Sequence, residues 1–294
     1  MMLKQKKLYL LVFALGLMAL ITLGAISLRR VNNRQNYIKS QTVTIFVHGW
    51  GSNYTAEEHM ANAAKRAGAT DTIVRADVSK AGKVQFLGQI NKHATNPIIE
   101  VNLADNKTPE GTEKAARVRQ LYHQSGHYIK DVVLALKTKY KVRSINLVGH
   151  SMGNLLNSYY ILDNVADYSL PVIKHQVVIA GHYDGIKAMQ PYSLKSKLNR
   201  QGRPSVITPE YAGLLKLRQK FPKSTKVLNI YGDIGDRYHS DGQVTTTSAK
   251  SYRYLAHRAA SYSEYKVTGN GARHSQLHEN GNADAKIIEF LWGK

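Results

Sequence analysis

Short apolar runs alternate with longer amphipathic segments along most of the chain. Runs rich in valine, isoleucine and leucine predict β-strands at residues 42–47, 73–78, 84–87, 98–103, 145–148, 177–180, 227–231 and 262–267. Longer periodic segments predict α-helices at residues 56–67, 113–140, 154–166 and 283–292. In the longest predicted helix, the apolar residues from Ile129 to Tyr140 form one stripe. If this helix is interrupted, we expect the interruption near Ser125 and Gly126.

This alternation indicates the class of fold. Strands that alternate with helices, several of them ending at a glycine-containing turn, favour an α/β fold with a mostly parallel sheet and helices on both faces. The chain has 294 residues, 43% of them hydrophobic, which is enough for one large core. Residues 186–223 are polar and rich in loops, and we interpret them as a small cap insertion.

The N-terminus has the pattern of an export signal. Three lysines within the first seven residues precede an uncharged apolar run at residues 8–26, and two arginines follow it. The run is also long enough to stay in a bilayer as an anchor. We therefore predict a signal peptide or signal anchor at residues 1–30, a linker at 31–40 and one folded domain at 41–294. Basic residues before the apolar run predict that this domain lies outside the membrane, extracellular or at the cell surface.

Charge and composition limit the classes of partner that the protein is expected to bind. The formal net charge is +21, of which +16 lies beyond the first thirty residues. Such a balance favours anionic partners, and for an exported protein we expect an anionic cell-wall polymer or lipid surface, with a merely solvated basic surface as the alternative. Nucleic acid is not expected, because no basic run is interleaved with stacking aromatics. The absence of cysteine excludes disulfides, thiolate metal sites and a cysteine nucleophile.

A candidate nucleophile lies between a predicted strand and a predicted helix. Gly149-His150-Ser151-Met152-Gly153 fits the G-x-S-x-G pattern, in which small flanking residues leave room for a sharp turn at the serine. His48-Gly49-Trp50-Gly51 follows the first strand of the folded domain, where an oxyanion loop is expected. The backbone N–H groups of Trp50 and Met152 are therefore predicted to bind the oxygen of a tetrahedral intermediate.

A nucleophilic serine needs a histidine base and an orienting acid, which this arrangement places after it in the order acid, then histidine. Three aspartates follow the strand at residues 227–231; we favour Asp241, with Asp233 and Asp236 as alternatives. Among the 12 histidines we favour His274, which lies on the loop between the last strand and the last helix, with His278 as the alternative.

A metal site is not expected, since no H-E-x-x-H motif is present and the two histidines lie on a predicted loop. Nothing in the sequence calls for a cofactor.

These motifs together resemble the α/β-hydrolase superfamily over residues 42–292. More narrowly, the chain resembles the exported hydrolases of Gram-positive bacteria that contain a domain of unknown function and are described as cell-surface hydrolases. The resemblance rests on these segments: His48–Ser52, Gly149–Asn154, Asn229–Asp233, Ser240–Gly242 and His274–Asn280. It implies Ser151 as nucleophile, Asp241 as acid and His274 as base, and it does not supply a substrate.

The resulting expectation is an exported serine hydrolase that cleaves acyl esters of small molecules or lipids through an acyl-enzyme intermediate. Two alternatives remain open. The same residues can serve an amidase or an acyltransferase acting on a wall polymer, and the fold can also serve a non-catalytic protein that binds an anionic surface.

Overall fold

The structure, a computed structural model, describes residues 37–109 and 114–294, together with Gly16 and Met18. Apart from those two residues, the predicted export segment lies outside the described residues, and so does most of the predicted linker. In the part of the chain that is described, no helix has the length and hydrophobicity needed to span a bilayer.

An eight-stranded sheet forms the centre of the fold, with strand order β3-β2-β4-β1-β5-β6-β7-β8. The strands are β1 (Val43–Val47), β2 (Ile73–Val78), β3 (Val84–Leu87), β4 (Ile98–Leu103), β5 (Ser144–His150), β6 (Val172–Ile179), β7 (Lys226–Asp233) and β8 (Ser261–Thr268). Among the strands of the described residues, only the edge strand β3 pairs in the antiparallel direction. Since the other strands run parallel, their carboxyl ends share one edge of the sheet, where ligands of α/β proteins bind.

Helices cover both faces of the sheet. They are α1 (Thr55–Ala67), α2 (Ala115–Tyr140), α3 (Met152–Asn164), α4 (Pro209–Leu214), α5 (Leu217–Lys220), α6 (Thr246–Lys250), α7 (Tyr252–Leu255) and α8 (Gly281–Trp292). Helices α2, α3, α4, α5 and α7 contribute buried side chains to the core on one face. Helices α1 and α8 pack on the other face. The α/β prediction, with a mostly parallel sheet covered on both faces, is confirmed.

The structure corrects several predicted boundaries. Helix α2 is continuous through Ser125 and Gly126, so no break occurs there. A Cβ atom on Gly126 would lie 3.2 Å from the Cβ atom of Tyr159, so this glycine allows α2 and α3 to approach closely. Strand β6 begins five residues earlier than the predicted run at 177–180, and the short helices α4, α5, α6 and α7 were not predicted.

Candidate active site

Ser151 lies on the sharp turn between β5 and α3. Its backbone has φ 51° and ψ −118°, a left-handed conformation that costs about 1–3 kcal/mol for a residue with a side chain. Glycine is required at positions 149 and 153 because other atoms lie close to both of them. A Cβ atom on Gly153 would overlap the carbonyl oxygen of Val47, and one on Gly149 would lie 2.7 Å from Oδ1 of Asn154.

Hydrogen bonds hold this strained turn in place. The Ser151 N–H donates to the carbonyl of Ile179 at the end of β6, over 2.9 Å. Nδ2 of Asn154 donates to the same carbonyl over 2.8 Å and to the carbonyl of Ser151 over 3.2 Å. These bonds satisfy the backbone N–H and carbonyl groups of Ser151 and offset part of its backbone strain.

The structure brings Ser151, His274 and Asp241 together in one chain of hydrogen bonds. Oγ of Ser151 lies 2.9 Å from Nε2 of His274, and Nδ1 of His274 lies 2.8 Å from Oδ2 of Asp241. The partners assign the proton of the imidazole to Nδ1, since the carboxylate can only accept from it. Nε2 is then free to accept the proton of the serine hydroxyl.

Asp241 is held by its own loop. Its Oδ1 accepts hydrogen bonds from the backbone N–H groups of Gln243 and Val244, over 2.8 and 2.7 Å. Its carbonyl accepts from the N–H of His274 over 2.9 Å. Asp241 therefore fixes the position of His274 through one side-chain and one backbone hydrogen bond.

The alternative residues have other partners. Asp233 lies 2.7 Å from Nζ of Lys266 and 3.3 Å from Nδ1 of His239. Asp236 lies 2.6 Å from Nζ of Lys187, and Ser240 donates to it. These contacts hold the pKa of each aspartate below its usual range, to about 2 for Asp236. The third alternative residue, His278, packs with its ring against the imidazole of His150.

The predicted oxyanion turn lies directly beside Ser151. A Cβ atom on Gly49 would lie 3.2 Å from the Cβ atom of Ser151. Met152 is the first residue of α3, so its N–H has no partner within the helix and belongs to the positive end of the helix.

The side chain of His48 fixes the predicted oxyanion turn through two hydrogen bonds. Its Nδ1 donates to the carbonyl of Gly49 over 2.8 Å, and its Nε2 accepts from the N–H of Leu103 over 3.2 Å. Burial lowers the pKa of His48, which keeps the ring neutral and preserves this pair of bonds.

Neutral histidines surround the candidate base. Burial, with His274 and His278 close by, lowers the pKa of His150 well below its usual value. The Nε2 atom of His150 lies 3.0 Å from the carbonyl of His274, to which the neutral ring donates. Burial lowers the pKa of His182 to about 3, with proximity to His274 as the smaller cause. Neither of these two histidines therefore adds a positive charge beside His274 at neutral pH.

A cleft of ≈ 170 Å³ opens beside the predicted oxyanion turn. Its walls are formed by these residues: Trp50, Pro109, Val118, Tyr122, Met152, His182, Ile186, Met189, Gln190, Tyr192, Pro209 and Glu210. Residues 186–210 thus supply much of one wall, next to the two predicted oxyanion donors.

The sequence of residues 31–294 matches the model of a protein family described as alpha/beta hydrolase of unknown function (DUF915). The chain belongs to this family. The match spans the whole sheet and every candidate site residue of this DUF915 hydrolase. No curated protein matches the chain in sequence.

Two solved structures share the fold of this DUF915 hydrolase. A gene product of Listeria innocua is 24% identical with a TM-score of 0.74, and the match covers 86% of this chain and 94% of that chain. A protein of Lactobacillus plantarum WCFS1 named a putative cell surface hydrolase is 19% identical with a TM-score of 0.65, covering 85% of this chain and 89% of that chain. Both likenesses concern the fold.

Sequence reasoning missed the polar side chains of the cleft. His182, Gln190 and Glu210 line it, although none was singled out from the sequence. His182 alone carried a usable signal, because it follows the carboxyl end of a parallel strand. Tyr211 and Leu214, which lie in the predicted cap segment 186–223, are buried in the main core. Among the described residues, no three metal-ligating side chains lie within reach of one ion.

Proposed function

We propose that this α/β hydrolase is a serine hydrolase that cleaves acyl esters through an acyl-enzyme intermediate. The observation that carries the proposal is the unbroken chain of hydrogen bonds from Asp241 through His274 to Oγ of Ser151. A nucleophile, a base within hydrogen-bond reach and a group that orients the base are the parts that such catalysis needs.

Each residue then has a defined task. Oγ of Ser151 attacks the ester carbonyl carbon while Nε2 of His274 takes its proton, and Asp241 stabilises the resulting imidazolium. The N–H groups of Trp50 and Met152 donate to the oxyanion. The C–O bond to the alcohol breaks, and the alcohol leaves with the proton from His274. A water molecule then attacks the acyl-serine with His274 as base, which releases the acid and restores Ser151.

The proposed location is outside the membrane, as the basic and apolar N-terminal sequence supports. The positive charge supports an anionic surface as partner. A cavity of ≈ 540 Å³ on the α2–α4–α5 side is lined by Arg119, Lys216 and Lys220. None of these three cations forms an ion pair within the part of the chain that the structure describes. The acid at this cavity, Asp163, is already bound by His123 at 2.7 Å.

A fluorophosphonate probe tests the catalytic proposal, because it reacts covalently with an activated serine. We expect the full-length chain, purified in non-ionic detergent, to be labelled and to hydrolyse p-nitrophenyl esters, and Ser151→Ala to lose both activities. His274→Ala should abolish labelling, whereas His278→Ala should retain it.

Absence of labelling in the folded wild-type chain would rule out the serine-hydrolase proposal. Labelling without ester hydrolysis would favour an amidase or acyltransferase with the same residues. Salt-sensitive binding to an anionic polymer, unchanged in Ser151→Ala and without labelling, would favour the non-catalytic alternative.

A further inference from the structure

Two buried polar atoms in the wall of the cleft have no hydrogen-bond partner. Nδ1 of His182 is one, on a residue only 5% exposed, and Oε2 of Glu210 is the other, on a residue 6% exposed. Both residues line the cleft beside Trp50 and Met152. A buried polar atom without a partner destabilises the fold, so two of them in one cleft call for an explanation.

The surroundings define what these atoms present to a ligand. Oε1 of Gln190 accepts from the N–H of Ile186 over 2.9 Å, which fixes the orientation of the amide. Nε2 of Gln190 therefore points to Glu210 and donates to its Oε1 over 2.9 Å. This leaves Oε2 as the remaining position for a hydrogen bond with a ligand. The imidazole of His182 is neutral, so its Nδ1 can donate or accept according to tautomer.

The cleft is too small for a long alkyl chain. A cavity of about 150 Å³ holds one benzene molecule, so a cleft of ≈ 170 Å³ accommodates a group of similar size. The remainder of a larger substrate has to extend out of the cleft.

The position of the cleft indicates which part of the substrate enters it. The leaving alcohol must lie next to Nε2 of His274, which protonates it. The cleft lies on the side of Trp50 and Met152, and His274 is not among the residues that line it. The acyl group, whose carbonyl oxygen these two N–H groups bind, is therefore the part that occupies the cleft.

We propose that the acyl pocket of this hydrolase selects short acyl groups that carry a hydroxyl, bound by His182 and by the Gln190–Glu210 pair. This inference rests on the proposed serine hydrolase. A hydroxyl suits both orphaned atoms, because it can donate to a carboxylate oxygen and can donate to or accept from an imidazole. It would restore at least one of the missing hydrogen bonds.

The test compares p-nitrophenyl 3-hydroxybutyrate with p-nitrophenyl butyrate, using the full-length chain in non-ionic detergent. We expect kcat/KM to be about tenfold or more higher for the hydroxylated ester, because a site built to bind a hydroxyl rejects the analogue that lacks it. p-Nitrophenyl dodecanoate should be a poorer substrate than either. In His182→Phe and Glu210→Gln the preference for the hydroxylated ester should fall toward one.

Matched substitutions away from the cleft, His257→Phe and Glu289→Gln, should keep the wild-type ratio. The fluorophosphonate labelling rate of each variant reports whether its active site is still assembled. A labelled, active wild-type chain with no preference for the hydroxylated ester would overturn the inference and leave the serine hydrolase intact. A preference that survives in both cleft variants would overturn it as well. An unlabelled wild-type chain would instead mean that the proposed function itself had failed.

Discussion

Asp241 holds the candidate base, His274, through two hydrogen bonds. Oδ2 accepts from the ring of His274, and the backbone carbonyl accepts from the backbone N–H of the same residue. Asp233 was an alternative because sequence order alone cannot tell which loop aspartate reaches the histidine. The structure pairs Asp233 with Lys266 on the neighbouring strand β8, a contact that no sequence spacing reveals.

Asp241→Asn tests the orienting role. The amide can donate to Nδ1 and so favour the wrong tautomer of His274, and we expect kcat to fall by about 10⁴. Asp233→Asn is the matched control, because it removes a carboxylate that binds Lys266 and leaves His274 untouched. Ester hydrolysis and circular dichroism of both variants measure the effect. Equal loss of kcat in the two folded variants would contradict the assignment.

At the scale of elements, prediction succeeded where the pattern is local. Buried strands such as Val43–Val47, in which every side chain is buried, are readable as apolar runs. The helices α4, α5, α6 and α7 were missed because they are short, at four to six residues, and their formation depends on packing. The expected break at Gly126 was wrong because the reason for that glycine is contact with a distant helix.

The candidate site, like the helices, could be predicted from local patterns but not from contacts between distant parts of the chain. Chain order and strand ends predicted which loops would meet, since parallel strands deliver their carboxyl ends to one edge. The roles of Ser151, Asp241 and His274 stay predictions until activity is measured. The unpartnered atoms of His182 and Glu210 could not be predicted, because a missing hydrogen bond depends on every neighbour in three dimensions.

Asn280 links the loop that carries His274 to the last helix. Its Oδ1 accepts from the N–H groups of Asn282 and Ala283 at the start of α8, over 2.9 and 3.2 Å. Its Nδ2 donates to the carbonyl of Gly271 over 3.2 Å. The residue therefore caps α8 and closes the 271–280 loop.

Asn280→Ala should lower the free energy of unfolding by about 1 kcal/mol, the usual cost of a lost N-cap. It should also lower kcat by more than this loss of stability explains, because His274 is less firmly held. Asn282→Ala is the matched control, as only its backbone takes part in the cap. Urea unfolding and ester hydrolysis provide the two readouts. If both variants behave alike, Asn280 has no specific part in closing the loop.

At the scale of the whole molecule, one buried carboxyl couples folding to pH. Both carboxyl oxygens of Glu57 are buried without a partner. Burial, with Glu100 close by, raises the pKa of Glu57 from 4.5 to about 8. The unfolded chain therefore releases this proton above pH 4.5, while the folded chain keeps it. The stability that this group contributes is complete below pH 4.5 and is lost as the pH rises to about 8.

Glu57→Gln removes this titration while keeping the shape of the neutral acid. Its stability relative to the wild type should increase between pH 5 and pH 8.5, by about 1.4 kcal/mol for each unit of pKa difference that is realised. Urea unfolding followed by the fluorescence of the buried Trp292 measures it. Glu289→Gln, on an exposed side chain, should show a flat difference over the same range. A flat difference for Glu57→Gln would refute the coupling.

The distribution of charge over the surface predicts a specific binding site for polyanions. A net charge of +21 attracts any polyanion, but attraction to a particular place requires cations that are not neutralised locally. Arg119, Lys216 and Lys220 form no ion pair among the described residues, and at one open cavity of ≈ 540 Å³ they outnumber the single carboxylate there, that of Asp163. We expect linear polyphosphate to bind there, and its affinity to fall steeply with salt as condensed counterions are released.

The triple variant Arg119→Gln/Lys216→Gln/Lys220→Gln should weaken polyphosphate binding at least tenfold and reduce the slope of log Kd against log salt. A control triple variant, Lys65→Gln/Lys92→Gln/Lys174→Gln, removes the same charge from other parts of the surface. Titration calorimetry at several salt concentrations distinguishes the two cases. If both triple variants lose affinity and slope equally, net charge alone drives binding and the cavity has no special part. A loss confined to the first variant requires the three cations to act together at one place.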